Sequence, residues 1–284
     1  MTVQKILQNK LNTSSIELKS IGGGSINETY KVITSETQFF CKINSATKFP
    51  HLFKQEKLGL EIIRKQNIIQ TPEVMNCFEE GDKQFLILNW IDSGERTEKF
   101  WKIFGEQLAA LHKISNDSFG LHEDNYMGSV PQQNARETDW IYFFDHYRLQ
   151  PLIKQCRDKH LLSPTHLQQF ENVINKLPRI FNDEPPSLLH GDLWSANFIC
   201  DLTSNPVLID PAVYFGHRSM ELAMTTLFGG FRQPFYEAYH YHFPFPDNYE
   251  EQWKVCNLYP LLIHLLLFGT SYLHQIESTL TDFQ

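Results

Sequence analysis

Strand-like runs come first in this chain and helix-like runs afterwards, and that order restricts the architectures open to it. Residues 16–21, 29–33, 38–43 and 84–88 are short, β-branched or aromatic, and separated by Gly, Ser and Thr. Within this region only residues 49–66 read as a helix, with Leu52, Phe53, Leu60 and Ile63 on one face. After the polar turn Asp92-Ser93-Gly94 the periodicity becomes helical over 97–113, 140–159, 164–177, 217–228 and 249–273. Strands segregated from helices predict an α+β molecule of two lobes. Residues 1–91 form the smaller β-rich lobe and residues 92–284 the larger helical one.

The 284 residues carry a formal charge of -8 and no Lys/Arg block, which excludes a nucleic-acid surface. The most apolar stretch, 258–273, contains Pro260 and His264 and falls short of a bilayer span, so it reads as a buried helix. The N-terminus lacks the apolar run of a secretory signal. Five scattered cysteines without a C-x-x-C pair fit reduced thiols in a cytoplasm.

The densest chemistry lies between His190 and Pro211. Two strand-like runs, 198–200 and 207–209, flank a turn-rich loop; a hairpin centred on Thr203-Ser204 sets Asn197 opposite Asp210. An amide oxygen and a carboxylate so placed suit a shared Mg²⁺, which takes oxygen ligands. Asp192 precedes Asn197 by five positions, the D-x-x-x-x-N spacing in which the Asp accepts the proton of an attacking hydroxyl and the Asn holds the metal. Asp210 takes the second metal role, in the setting Asp-Pro-Ala rather than Asp-Phe-Gly.

Phosphoryl transfer needs a grip on ATP. Gly22-Gly23-Gly24-Ser25 lies between two strands, where backbone N–H groups can approach phosphates, although no Walker pattern follows. A lysine in a strand ordinarily faces water. Lys42, however, is followed in the next helix by Glu56, which can orient its ammonium toward the phosphates. The strand at 85–88 runs into a hinge in which the backbone of Asn89 and Ile91 reads adenine.

These residues resemble the fructosamine kinase (ketosamine-3-kinase) family, relatives of aminoglycoside and choline kinases. The resemblance spans nearly the whole chain, through Gly22-Gly23-Gly24, Lys42, Gln107–His112, Asn125-Tyr126-Met127-Gly128, 139–144, Arg148-Leu149, His190–Asn197 and Asp210-Pro211-Ala212. Its most specific stretches are His190-Gly191-Asp192-Leu193-Trp194-Ser195-Ala196-Asn197 and 214–223. The resemblance implies ATP-dependent phosphorylation of the 3-hydroxyl of a ketosamine, either a small molecule or a glycated lysine on a protein, and a role in deglycation. Trp194 then either walls the sugar or anchors the loop. His217 and Glu221, one helical turn apart, either face the acceptor or fix the Asp210 segment. Ser25 stands where some relatives carry a cross-linking Cys, and Asn89 where many carry Glu.

Three other readings remain at this stage: a kinase for an amino alcohol or aminoglycoside, a metal-dependent hydrolase using His190, Asp192 and Asp210, and a non-catalytic nucleotide-binding scaffold.

Overall fold

The computed structural model describes residues 2–22 and 26–284. Helix α1 (Val3–Lys10) starts at Thr2, whose hydroxyl accepts the Lys5 N–H. Strands β1 (Glu17–Ser20), β2 (Glu28–Ile33) and β3 (Gln38–Ser45) follow, then helix α2 (Leu52–Lys65) and strands β4 (Val74–Glu80) and β5 (Lys83–Asn89). All pair antiparallel in the order β1-β2-β3-β5-β4. The sheet is covered on both faces. Phe85 and Ile87 join Ile6, Leu7 and Val32 under α1, while Leu86 and Leu88 join Phe53 and Leu60 under α2. This alternation is the period-two pleat of a strand. It explains why β5 reads as an unbroken apolar run.

Helix α2 lacks a side-chain cap of its own. The buried Gln84 of β5 substitutes: its Oε1 accepts the Phe53 N–H, and its Nε2 donates to the carbonyls of Ser45 and Phe49. The helix is thereby fixed to the sheet from its first turn.

Beyond residue 97 the chain is mainly helical: α3 (Glu98–His112), a β6–β7 hairpin (Asn125–Met127, Val130–Gln132), then α4 (Trp140–Phe144), a π-turn (Asp145–Leu149) and α5 (Gln150–Asp158). Next come α6 (Pro164–Ile180), the short strands β8 (Ser187–Leu189), β9 (Phe198–Cys200), β10 (Pro206–Leu208) and β11 (Tyr214–Gly216), and helices α7 (Ser219–Met224), α8 (Gln233–His242), α9 (Tyr249–Cys256), α10 (Leu258–Phe268) and α11 (Leu273–Asp282). Helices α3 and α8 cross at Gly105, where an added Cβ would stand 2.2 Å from the Phe235 carbonyl oxygen. Among the described residues no helix is long and apolar enough to cross a membrane.

Several expected elements change length. The helix expected over 217–228 covers only Ser219–Met224. Phe228, Gly229 and Gly230 all take positive φ, which an α-helix cannot accommodate. The helix expected over 249–273 divides into α9 and α10 and ends at Gly269, with φ 85°. Helices α1, α8 and α11 and strands β4, β6, β7, β8 and β11 go beyond the elements expected from sequence.

Candidate functional site

The His190-Gly191-Asp192 turn is held from behind by one carboxylate. Glu221 of α7 accepts the backbone N–H groups of His190 and Gly191, each at 2.8 Å, and a third bond from His112 Nε2 at 3.1 Å. Burial alone would raise its carboxyl, but these donors outweigh it and hold it below the ordinary carboxylate range. His190 in turn donates Nε2–H to the Ile209 carbonyl at 2.8 Å, tying the turn to the β9–β10 hairpin. Gly191 has φ 87°, and a Cβ there would lie 2.1 Å from the Ala212 carbonyl oxygen, so only glycine fits.

Asp192 emerges from this turn half-buried. The side-chain amide of Asn197 donates to both the Asp192 carbonyl (2.8 Å) and its Oδ2 (3.0 Å). That leaves the Asn197 Oδ1 lone pairs free for another partner. Burial first, and then the neighbouring Asp210, push the Asp192 carboxyl well above its ordinary value.

The hairpin register differs from expectation by one residue. Cys200 pairs with Pro206 and Phe198 with Leu208, so Asn197 stands opposite Ile209, whose N–H bonds to the Asn197 carbonyl at 3.1 Å. A one-residue slip in a regular strand turns a side chain to the other face. Here the strand has ended, and Asp210 takes a left-handed φ of 57°. Asn197 and Asp210 consequently line the same cavity.

Lys42 completes the group from the sheet. It lies on the α2 face of β3, 2% exposed, with Nζ 2.7 Å from Glu56 Oε1 and 2.7 Å from Asp210 Oδ1. Burial opposes its charge, yet the two carboxylates prevail and raise its pKa. Burial pushes Glu56 up to about 7 against the pull of Lys42. A cavity of about 140 Å³ is lined by Lys42, Glu56, Asp192, Asn197 and Asp210, together with Trp194 and the β6–β7 residues Asn125, Tyr126 and Gly128. A second cavity of about 320 Å³ shares Gly128, Asp192 and Trp194 and continues to Phe228, His264 and Tyr272. Trp194 stands between the two, edge-on to Phe228 with ring centroids 6.0 Å apart.

The structure does not bring every expected residue here. His217 and Glu221 do not face an acceptor: both are 1% exposed. Glu221 is spent on the His190-Gly191 backbone, and His217 packs against Trp140 and Phe181. Helical spacing misplaced the pair: α7 begins only at Ser219, so His217 lies before the helix and the two side chains reach different neighbours. Asn89 and Ile91 line a separate depression with Arg64, Gln70 and Gln107. Asn89 is tied to β4, its N–H donated to the Glu73 carbonyl (3.0 Å) and its Oδ1 accepting the Glu73 N–H (2.6 Å). Gly22 is exposed and has no atom near the position of a Cβ. Gly23, Gly24 and Ser25 lie outside the described residues.

The β6–β7 hairpin received no role from sequence. It braces the Asp210 segment from the far side. Asn125 donates to the Val213 carbonyl (2.8 Å), and Gln132 donates to the Ala212 carbonyl (3.2 Å) and to Asn125 Oδ1 (2.7 Å). Its tip reaches across to the other lobe, where the Tyr126 hydroxyl donates to the Pro50 carbonyl. The local signal was the turn sequence Asn125-Tyr126-Met127-Gly128, with Gly128 at φ 60°.

A β-rich lobe supplying a lysine and a helical lobe supplying an Asp, an Asn and a second Asp define the protein-kinase-like fold. Solved structures agree. The chain superposes on an aminoglycoside phosphotransferase, APH(4)-Ia, with a TM-score of 0.67 at 14% identity over 99% of both chains. It matches a Thermobifida fusca protein assigned as a fructosamine-3-kinase with a TM-score of 0.89 at 29% identity, over 99% of this chain and 97% of that one. The family model for fructosamine kinase matches residues 1–283, and the chain belongs to that family. It is 34% identical over 272 residues to a "Probable ketoamine kinase" of Lactiplantibacillus plantarum, covering 94% of each chain. It is also 34% identical over 276 residues to the chloroplastic protein-ribulosamine 3-kinase of Arabidopsis thaliana, covering 95% of this chain and 83% of that one.

Proposed function

We propose that this protein transfers the γ-phosphoryl group of ATP to the 3-hydroxyl of a ketosamine, the sugar adduct of an amine, and that it acts in deglycation. The observation that carries this reading is the convergence of Lys42, Glu56, Asp192, Asn197 and Asp210, drawn from both lobes, on one cavity that shares Gly128, Asp192 and Trp194 with a second. Family membership supplies the acceptor class.

In this reading residues 1–91 grip the nucleotide and residues 92–284 hold the acceptor. Lys42, oriented by Glu56, neutralises phosphate charge. The phosphate contact is assigned to the backbone N–H groups of Gly22, Gly23, Gly24 and Ser25, and the adenine contact to the backbone of Asn89 and Ile91. Asp192 accepts the proton of the sugar hydroxyl as the new O–P bond forms and the bond from the γ-phosphorus to the bridging oxygen of ADP breaks. Catalysis is chiefly alignment and charge neutralisation.

The free oxygens at Asn197 and Asp210 fit Mg²⁺. Among the described residues no cluster of three His, Cys, Asp or Glu forms a dedicated metal cage. Few protein ligands suit an ion completed by phosphate oxygens and water. When bound, that ion would neutralise phosphate charge and orient the transferring group. The five cysteines are all unpaired, which suits a cytoplasmic setting.

The deciding assay measures ATP consumption with a panel of ketosamines and amino alcohols. Phosphorylation of ketosamines is expected, and Asp192→Ala should lose turnover while retaining measurable Mg-ATP binding. Activity on amino alcohols alone would sink the deglycation reading. Unchanged kcat in Asp192→Ala would remove Asp192 from the mechanism.

A further inference from the structure

Asp210 holds a conformation that its own sequence opposes. Its φ of 57° lies in the left-handed region, which few residues other than glycine enter. It also precedes Pro211, and the residue before a proline is driven toward extended backbone. A strained residue of this kind persists where its surroundings over-determine it. Resting on the ketosamine-kinase reading, we propose that Tyr259, Gln132 and Asn125 are positioning residues for the reaction. They form a buried relay that keeps Asp210 in this conformation, and with it the carboxylate that is to hold Mg²⁺.

Two grips enclose the segment. On one side His190 takes both flanks of Asp210: its Nε2–H donates to the Ile209 carbonyl and its own carbonyl accepts the Ala212 N–H, each at 2.8 Å. On the other side the β6–β7 hairpin takes the next two carbonyls, Gln132 bonding that of Ala212 and Asn125 that of Val213. Asn125 lines the cavity, whereas Gln132 and Tyr259 are 2% and 4% exposed and are not among its lining residues. Any effect of those two on the reaction therefore passes through the segment they hold.

Tyr259 of α10 sets the direction of the second grip. The two N–H groups of the Gln132 amide are spent on Asn125 Oδ1 at 2.7 Å and the Ala212 carbonyl at 3.2 Å. The Tyr259 hydroxyl donates to Gln132 Oε1 at 2.7 Å, and burial pushes that phenol up, so it stays a donor. Reversed, the amide would set oxygen against oxygen at both of its other contacts. The hairpin is anchored in turn by Arg148, which donates to Asn134 Oδ1 at 2.8 Å and lies 4.2 Å over the Tyr214 ring. Buried amides are costly unless satisfied. Among the described residues, the side chains of Asn125 and Gln132 are satisfied by each other, by Tyr259 and by the two carbonyls beyond Asp210.

The test measures binding of AMP-PNP with and without Mg²⁺ by calorimetry, beside kcat with a ketosamine. Gln132→Leu releases the Ala212 carbonyl and should weaken AMP-PNP binding in Mg²⁺ by about tenfold or more while leaving metal-free binding unchanged. It should lower kcat by a similar factor at unchanged acceptor KM. Tyr259→Phe removes one oxygen and keeps the ring, and should show the same pattern at about threefold. A packing role alone would lower the melting temperature and leave the Mg²⁺-dependent part of binding as it was.

The inference falls if both variants bind AMP-PNP with the parent's Mg²⁺ dependence, or if metal-free binding weakens as much as binding in Mg²⁺. Should Gln132→Leu fail to fold, Tyr259→Phe decides alone on the same criteria. A parent that phosphorylates a ketosamine but binds AMP-PNP without Mg²⁺ dependence would also overturn the inference, and the kinase reading would stand. A parent that neither binds AMP-PNP nor turns over any ketosamine would overturn that reading itself.

Discussion

Two glutamates, one in each lobe, do opposite work. Glu221 gathers two backbone N–H groups and a histidine and, among the described residues, has no ion pair with a lysine or arginine. Glu56 faces one ammonium, which it shares with Asp210. The first carboxyl is held below its ordinary range, whereas the second is pushed up to about 7. Glu221 is thus satisfied by the protein alone and fixes the backbone of the His190-Gly191-Asp192 turn. Glu56 is balanced by a lysine whose other partner is a candidate metal ligand, so its surroundings change when ligands arrive. One end of the site is built rigid and the other responsive.

The largest effect should come from breaking the rigid end. Glu221→Ala leaves two buried N–H groups and His112 without an acceptor, and should cost about 3–5 kcal/mol of stability. Chemical denaturation would measure it, and a loss below 1 kcal/mol would contradict the finished-anchor description. Lys42→Met should instead leave the turn intact and lower kcat/KM for ATP by about a hundredfold or more. A fold as stable as the parent with near-normal kinetics would remove Lys42 from the phosphate grip.

Glu56→Gln should sharpen the contrast with a smaller effect, roughly a tenfold rise in KM for ATP. It should also change the pH dependence of stability. The carboxyl of Glu56 binds its proton more tightly folded, about 7 against an ordinary 4.5, so it stabilises the fold in acid. That stabilisation is lost as pH rises from about 4.5 through about 7. The variant should lack this decline in unfolding measurements between those limits.

His217 has the opposite slope. Burial lowers it from 6.5 to about 4, so stability is complete above 6.5 and falls as pH drops toward 4. His217→Phe, among the rings of Trp140 and Phe181, should remove much of that acid sensitivity, of order 3 kcal/mol over the window. An unchanged acid limb would place the sensitivity elsewhere.

The legible parts of this molecule were the local ones. The five-residue spacing from Asp192 to Asn197 and the lone lysine of β3 depend on chain neighbours, and the structure brings both to one cavity. The register of the hairpin was less accessible. Asp201 accepts from Thr203 N, Thr203 Oγ1 and Asn205 N, each at 2.8 Å, and so organises the five-residue loop 201–205 where the six-residue loop 201–206 was expected. The left-handed φ of Asp210 leaves no mark in composition, yet it returns that carboxylate to Asn197. For His217 and Glu221, spacing implied a shared helix face, but α7 begins at Ser219 and leaves His217 outside it. Phe228, His264 and Tyr272 are far apart in sequence and carry no spacing signal. Only packing assembles them beside Trp194.

One glycine links the helix that carries Glu56 to the Asp210 segment. Gly59 sits one turn beyond Glu56 in α2, and a Cβ there would lie 3.1 Å from the Pro211 ring and 3.2 Å from a Val213 methyl. The helix carrying Glu56 therefore rests directly on the residues that follow Asp210. In a close-packed interior that contact leaves no room for a side chain, so any residue larger than glycine at position 59 would wedge α2 away from the segment that follows Asp210.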